Sequence, residues 1–295
     1  PVHIILSEFN TGISKFTETL KAKEGYSELF LPANKLINIT AERPVLFVVD
    51  THIPHLTASP ELLERIKDVV VIDHHRRSSN FIKNARLTYS EPATSSTSEL
   101  VTELLIYFSD DLTLPRMEAT ALYAGILVDT KNFAVQTGVR TFDAAAYLRR
   151  CGADPVSVRQ MFRSDFETEQ AKAQAKAQAR MLPGGLIITM CREPLPNIQV
   201  IAAQVADSML RIEDVRVSMV VFQLTPDVIG ISARSTGTIN VQVIMEQFGG
   251  GGHQNVAGAQ IVNSDIDTVF EDVITATQLF IEENDKNESN TATGR

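Results

Sequence analysis

The sequence predicts an α/β protein of two domains, on three observations. Continuously apolar short runs alternate with helix-period segments over the first 150 residues. A low-complexity Ala/Lys/Gln run follows, and a second alternation in which strands neighbour one another occupies 184–282. Apolar strands separated by helices mark a parallel sheet covered on both faces. A length of 295 residues accommodates two domains at roughly 100–200 residues each. In the first domain, 1–152, the strands are Val2–Leu6, Val45–Asp50, Val69–Asp73 and Ala85–Tyr89, and Thr11–Ala22 and Pro60–Lys67 are crossing helices. Ser95–Phe108, Pro115–Val128 and Thr141–Arg150 carry apolar residues at helical spacing, and Gly152 suits a helix stop.

Residues 153–183 read as a helical linker. Glu169–Arg180 has high helix propensity and no core-facing stripe, and Pro183-Gly184-Gly185 ends it. Lys172, Lys176 and Arg180 share a face at i, i+4, i+8, which is ordinarily a solvated helix face. The smaller α+β domain, 184–282, is expected to contain strand Leu186–Met190, helix Ile198–Leu210, strands Val215–Phe222 and Val228–Ala233, helix Asn240–Phe248, strand Ala257–Val262 and helix Ile266–Ile281. Residues 283–295 are polar enough to read as a disordered tail.

Composition narrows the function. Twenty-seven Lys and Arg against thirty-six Asp and Glu give a net charge of −9, which excludes an overall electrostatic grip on a long nucleic acid. Any nucleotide must be held by a local site. Cys151 and Cys191 are too few and too far apart for a disulfide framework or a thiolate zinc site, and a cytoplasmic setting is expected. No run approaches the roughly 18 apolar residues that span a bilayer. The chain opens at Pro1 directly in an apolar run, which predicts a fragment of a longer protein.

Two apolar strands, Phe47-Val48-Val49-Asp50 and Val70-Val71-Ile72-Asp73-His74-His75, each end in ionisable residues, and ligands of open α/β sheets bind beyond the strands' carboxyl ends. If the strands are neighbours, Asp50 and the two histidines converge, and Asp129, after Leu122–Val128, is a third candidate. Carboxylates with an imidazole suit a borderline-hard divalent ion such as manganese. A lone aspartate at a strand end is ordinarily a cap, but adjacent histidines after an aspartate are unusual in a core. Asp73 is a candidate to orient the neighbouring imidazole, and Arg76 and Arg77 offer charge to a phosphate. His3 and His55 have no such company, and His52 approaches the site only through its nearness to Asp50. In the second domain Gly249-Gly250-Gly251-Gly252-His253 is a candidate anion nest, with Arg234 and Ser235 offering a guanidinium and a hydroxyl to a nucleotide.

These residues together resemble the DHH phosphoesterase superfamily, and Val48-Val49-Asp50-Thr51-His52, Gly125–Lys131 and Ile231–Ser235 through Asn240–Met245 look most like its bacterial membrane-anchored cyclic-di-AMP phosphodiesterases. The resemblance implies an N-terminally truncated, parallel-sheet DHH domain joined by the helical linker to a DHH-associated nucleotide-binding domain. It implies a two-manganese site in which Asp50 bridges, His74 and Asp129 ligate and His75, with Asp73 and Arg76 beside it, meets the scissile phosphate. Arg234, Ser235 and Gly249 to His253 would hold the nucleotide. The implied reaction opens a cyclic dinucleotide to linear pApA, by a cytoplasmic portion of a membrane-anchored parent; homodimerisation is compatible with it. The family's first motif, His-x-x-x-Asp-x-Asp, has no counterpart near Pro1. One ion or none is therefore expected here, with impaired activity. The alternatives are a nanoRNase acting on short oligonucleotides and a catalytically dead nucleotide-binding regulatory module.

Overall fold

The strand that organises the first unit is Asp68–Asp73, six residues of which Val69, Val71, Ile72 and Asp73 are buried. The computed structural model describes residues 2–6, 11–32, 35, 42–109 and 111–293. It divides into two units, 1–163 and 164–295.

In the first unit α1 (Thr11–Lys21) precedes β1 (Val45–Val49), a 3-10 turn at Pro54–Leu56, α2 (Pro60–Arg65), β2 (Asp68–Asp73) and β3 (Leu87–Ser90). Four helices follow: α3 (Thr97–Phe108), α4 (Arg116–Asp129), α5 (Val139–Arg150) and α6 (Pro155–Met161). The strands pair in parallel in the order β1-β2-β3, with Val49 opposite Ile72 and Ile72 opposite Tyr89. Parallel neighbours in this register bring Asp50 and Asp73 to the same end of the sheet. Val48, Val69 and Val71 form a small core against Leu46, Leu63, Ile82 and Ala85, and burying each valine contributes about 1.5–3 kcal/mol. Ala119 and Ile126 of α4 pack with Ala144 and Leu148 of α5. Ser59, Ser96, Asp154 and Asp165 cap helices through side-chain oxygens, each satisfying an amide without an intrahelical partner.

Two expectations change here. The predicted strand Val2–Leu6 is reduced to one parallel bridge, Ile4 to Phe30, with Val2 and Ile4 exposed. Of the sheet faces expected to be covered on both sides, the described residues leave Val45, Phe47 and Val49 on one side of β1 more than half exposed.

The second unit contains α7 (Phe166–Ala177), β4 (Arg180–Leu182), β5 (Leu186–Cys191), α8 (Ile198–Met209), β6 (Val217–Thr225), β7 (Val228–Ser235), α9 (Val241–Glu246), β8 (Gly251–His253), β9 (Val256–Val262) and α10 (Ile266–Thr293). Its sheet runs β4-β5-β6-β7-β9-β8, with only β5 and β6 parallel. Alternation along the strands sends Leu186, Ile188, Val217 and Met219 into a core with α9 and α10, and Ile187, Val220 and Phe222 into another with α8. No helix is long and apolar enough to cross a membrane among the described residues.

The expected linker is divided between the units. Its first part forms α6, while its Ala-rich part packs through buried Ala175, whose carbonyl accepts from the Thr189 hydroxyl at 2.6 Å. Arg180 leaves the basic helix face, because Gly184 and Gly185, both at positive φ, turn the chain into an antiparallel β4–β5 pair. The polar segment expected to be disordered continues α10 to Thr293. Within it Asp285 accepts two bonds from Arg216 at 2.8 and 3.0 Å, a bidentate ion pair that polarity alone does not reveal.

The glycine run also differs from a nest. Gly249 ends α9 with φ 71, and the Gly250 amide donates to Met245 O at 2.9 Å. Gly251 and Gly252 then pair with Gly258 and Ala257 as β8. A methyl group on Gly250 would overlap the Gly258 carbonyl and Ala259, whereas one on Gly251 would meet open space. Gly250→Ala is therefore expected to lower stability by about 1–3 kcal/mol and Gly251→Ala by less than about 0.5 kcal/mol, as read from urea midpoints. Equal loss in both would contradict a packing role.

Candidate active site

Asp50 follows β1 in the left-handed region, with φ 65, a conformation aspartate tolerates better than most residues. Its amide donates to Ile72 O at 3.0 Å, and Oδ1 accepts the Thr97 hydroxyl at 2.8 Å. His74 Nε2 stands 3.6 Å from Asp50 Oδ1 and 4.0 Å from Asp129 Oδ2. These gaps exceed hydrogen bonds and are open to a shared cation. Asp50, His74 and His75 offer ligand atoms that all lie within 4.8 Å of one another. Asp129, the last residue of α4, joins this set through His74. Burial pushes the Asp129 carboxyl above the usual aspartate range, Asp50's charge adds to the rise, and the two imidazoles only partly oppose it. Oxygen and imidazole donors of this kind suit a divalent ion such as manganese.

Behind this cluster lies Asp73, with no exposed side-chain surface. Oδ1 accepts from His75 Nδ1 at 2.7 Å and from the His75 amide at 3.2 Å, while Oδ2 bonds His52 Nδ1. Burial alone would raise the Asp73 pKa. The hydrogen bonds from His52 and His75 outweigh burial and hold the carboxyl below the usual range. The Ser78 amide lies 3.0 Å from His52 Nε2. An amide can only donate, so Nε2 accepts and His52 carries its proton on Nδ1, facing Asp73. His75 likewise commits Nδ1 to Asp73, which leaves Nε2 as its available nitrogen. The His74 and His75 rings sit 4.4 Å apart, inclined by 59°, so successive residues serve two different partners.

Two further participants are His52, marked in the sequence only by its nearness to Asp50, and Thr97, not marked at all. Their partners lie 21 and 47 positions away, and only the Asp50-Thr51-His52 spacing at a strand end hinted at the first. Arg76 is exposed, and Arg77 lies over the Phe81 ring, 3.9 Å from its centroid. His3 bonds the Glu28 carbonyl and His55 bonds Asn80.

In the second unit Arg234 is held by Asp207 at 3.2 Å, Ser232 Oγ at 3.2 Å and Ala233 O at 2.9 Å through Nε and Nη1, which leaves Nη2 outside these bonds. Ser235, expected to offer a hydroxyl, is buried and donates it to Ile239 O at 2.6 Å. That hydrogen is committed within the loop. His253 is exposed at the β8–β9 turn.

A parallel-sheet domain with this Asp/His cluster precedes a mixed-sheet domain with a glycine-rich hairpin, and the chain carries a DHH and a DHHA1 domain. Residues 10–126 match the DHH family, N-terminal domain, and residues 197–283 match the DHHA1 domain. Among relatives, the chain is 46% identical over 250 residues to a Listeria monocytogenes protein named cyclic-di-AMP phosphodiesterase PdeA, covering 84% of this chain and 38% of that protein. A more distant relative, 28% identical over 241 residues, is the Mycoplasma genitalium protein named bifunctional oligoribonuclease and PAP phosphatase NrnA, with coverage of 78% and 73%. The crystal structure of an exopolyphosphatase-related protein from Bacteroides fragilis superposes with a TM-score of 0.75 at 20% identity, covering 96% of this chain and 83% of that one. That likeness supports the fold.

The Asp73 arrangement makes a pH prediction. A carboxyl whose folded pKa is depressed stabilises the fold above its unfolded value, about 4, and loses that contribution as pH falls through the folded value. Asp73→Asn is expected to cost roughly 1–3 kcal/mol at neutral pH, with the difference from wild type shrinking below about pH 4. Urea unfolding between pH 3 and 7 measures it; a constant difference would show that the carboxylate charge is not responsible.

Proposed function

We propose that the chain hydrolyses a phosphodiester bond of a cyclic dinucleotide, cyclic di-AMP, to linear pApA in a manganese-dependent reaction. The observation that carries this reading is the convergence of Asp50, His74, His75 and Asp129 at the carboxyl ends of β1 and β2. The substrate rests on the 46% identity to a cyclic-di-AMP phosphodiesterase. Because the chain spans 38% of that relative, activity and substrate belong to the proposal.

Asp50, His74 and Asp129 would hold the ion, which supplies positive charge to the phosphate oxygens and lowers the pKa of a water. Three such side chains suffice for one ion, and these 295 residues contain no His-x-x-x-Asp-x-Asp segment to complete a second. Asp73 fixes the His75 ring so that Nε2 meets the scissile phosphate, and Arg76 adds charge beside it. Arg234 through Nη2, the backbone of Gly251 and Gly252, and His253 contact the nucleotide. Water adds to phosphorus, the P–O3′ bond breaks, and O3′ takes a proton, leaving a 5′-phosphate on the linear product. The small substrate accords with a net charge of −9, which disfavours tracking along a long polyanion. We also place the protein in the cytoplasm as part of a membrane-anchored, bacterial parent. The more distant oligoribonuclease relative favours a second reading, short oligonucleotide hydrolysis by the same residues.

The test is to incubate the chain with manganese and either cyclic di-AMP or an RNA dinucleotide, following products by chromatography, beside a version extended ahead of Pro1 by a His-x-x-x-Asp-x-Asp segment. Manganese titration is expected to show one site here and two in the extended version, with faster pApA formation by the latter. Asp129→Ala is expected to reduce turnover by on the order of 100-fold while nucleotide binding persists. Two tight sites on this chain would refute the one-ion assignment, and preference for the RNA dinucleotide would favour the second reading.

A second measurement concerns stability. An acid whose folded pKa is raised destabilises the fold as pH rises through its titration. Asp129→Asn should therefore raise the metal-free Tm at pH 7 and diminish the manganese-induced rise. A lower metal-free Tm would contradict the electrostatic account.

A further inference from the structure

Residues Thr94 to Glu99 are six consecutive polar residues, five of them buried: Thr94, Ser95, Ser96, Thr97 and Glu99, of which Glu99 is 1% exposed. Burying a hydroxyl or carboxylate is costly unless it is hydrogen-bonded. Here the segment is closely satisfied. Thr94 donates to Glu91 O at 2.8 Å, and the Ser96 hydroxyl caps α3 by accepting from the Glu99 amide at 3.1 Å. Glu99 Oε2 accepts from the Ser95 hydroxyl, from the Ser95 amide at 3.2 Å and from the Thr141 hydroxyl at 2.7 Å. Thr141 in turn accepts the Gly138 amide at 3.0 Å. One buried carboxylate thus joins the start of α3 to the start of α5.

Beside this network stands Thr97, the first residue of α3, whose hydroxyl donates to Asp50 Oδ1. Asp50 needs such a partner. Its side chain is 58% exposed, and its backbone stands in the left-handed region. We infer that Thr97 is a positioning residue: it holds the Asp50 carboxylate in the orientation that receives a divalent cation, and Glu99 fixes Thr97 by locking α3 to α5. The inference rests on Asp50 being a cation ligand. Groups that hydrogen-bond a ligand carboxylate act by removing the rotamer freedom that binding would otherwise have to remove.

Calorimetric manganese titration of the 295-residue chain, with metal-free Tm recorded for every variant, tests it. Thr97→Val keeps the β-branched shape and removes the hydroxyl, and is expected to weaken manganese binding about 10–100-fold with only a small change in metal-free Tm. Thr97→Ser restores the donor and should return affinity to near the wild-type value. Glu99→Gln retains an acceptor oxygen, whereas Glu99→Ala should lower both metal-free stability and affinity. Asp50→Ala serves as the reference and should abolish the site. If Asp50→Ala abolishes binding but Thr97→Val binds like wild type, the positioning role is overturned while the site assignment stands. If Asp50→Ala leaves binding intact, the site assignment fails and this inference with it. Should Thr97→Ser bind as poorly as Thr97→Val with an unchanged Tm, the hydroxyl is not the operative group and the inference is wrong.

Discussion

A carboxylate with no exposed surface stands at the end of the central strand of the first unit, and the candidate site is arranged around it. Leaving a charged Asp73 unpaired in that position would cost several kcal/mol. Pairing it demands two imidazoles from separate stretches of chain, His52 after β1 and His75 after β2. Reaching His52 requires β1 to lie beside β2 in the observed register, and that register brings Asp50 to the same end of the sheet. Holding His75 on Asp73 turns the neighbouring His74 toward Asp50 and Asp129. The Asp-His-His triplet is thus a packing constraint before it is a chemical one.

Its second consequence is electrostatic. The cluster ahead of Asp73 contains two carboxylates, one of them partly buried, and Asp129 responds with a raised pKa. Asp50 adds backbone strain at φ 65, of order 1 kcal/mol for a residue outside its preferred wells. Because burial raises the Asp129 carboxyl's pKa, its charge opposes folding as pH rises through its titration.

Much of this was legible in the sequence because it depends on local patterning. Apolar runs at strand length identified β1, β2 and β5 to within a residue or two, and their polar ends identified Asp50, Asp73, His74 and His75. What escaped depends on partners distant in sequence. His52 showed only its nearness to Asp50 because its carboxylate is 21 positions away, and Thr97 carried no signal because its acceptor lies 47 positions away. The Val2–Leu6 run had strand composition, but it forms a single bridge, Ile4 to Phe30. Composition also misjudged the end of α10, where one arginine ties down Asp285.

The glycine run and the Thr94–Glu99 segment show the same limit from opposite sides. Both have the composition of loops, and both are held by close packing or hydrogen bonds. In the first, glycine is needed chiefly because β8 lies against β9 too closely for a side chain at Gly250; the amide of that residue already serves Met245. In the second, hydroxyls and a carboxylate replace an apolar core between α3 and α5. Composition counts polar groups, whereas rigidity depends on where each hydrogen bond ends. A polar run whose buried hydroxyls and carboxylate are hydrogen-bonded within the fold also does what packed aliphatics do not: it directs one donor, the Thr97 hydroxyl, at Asp50.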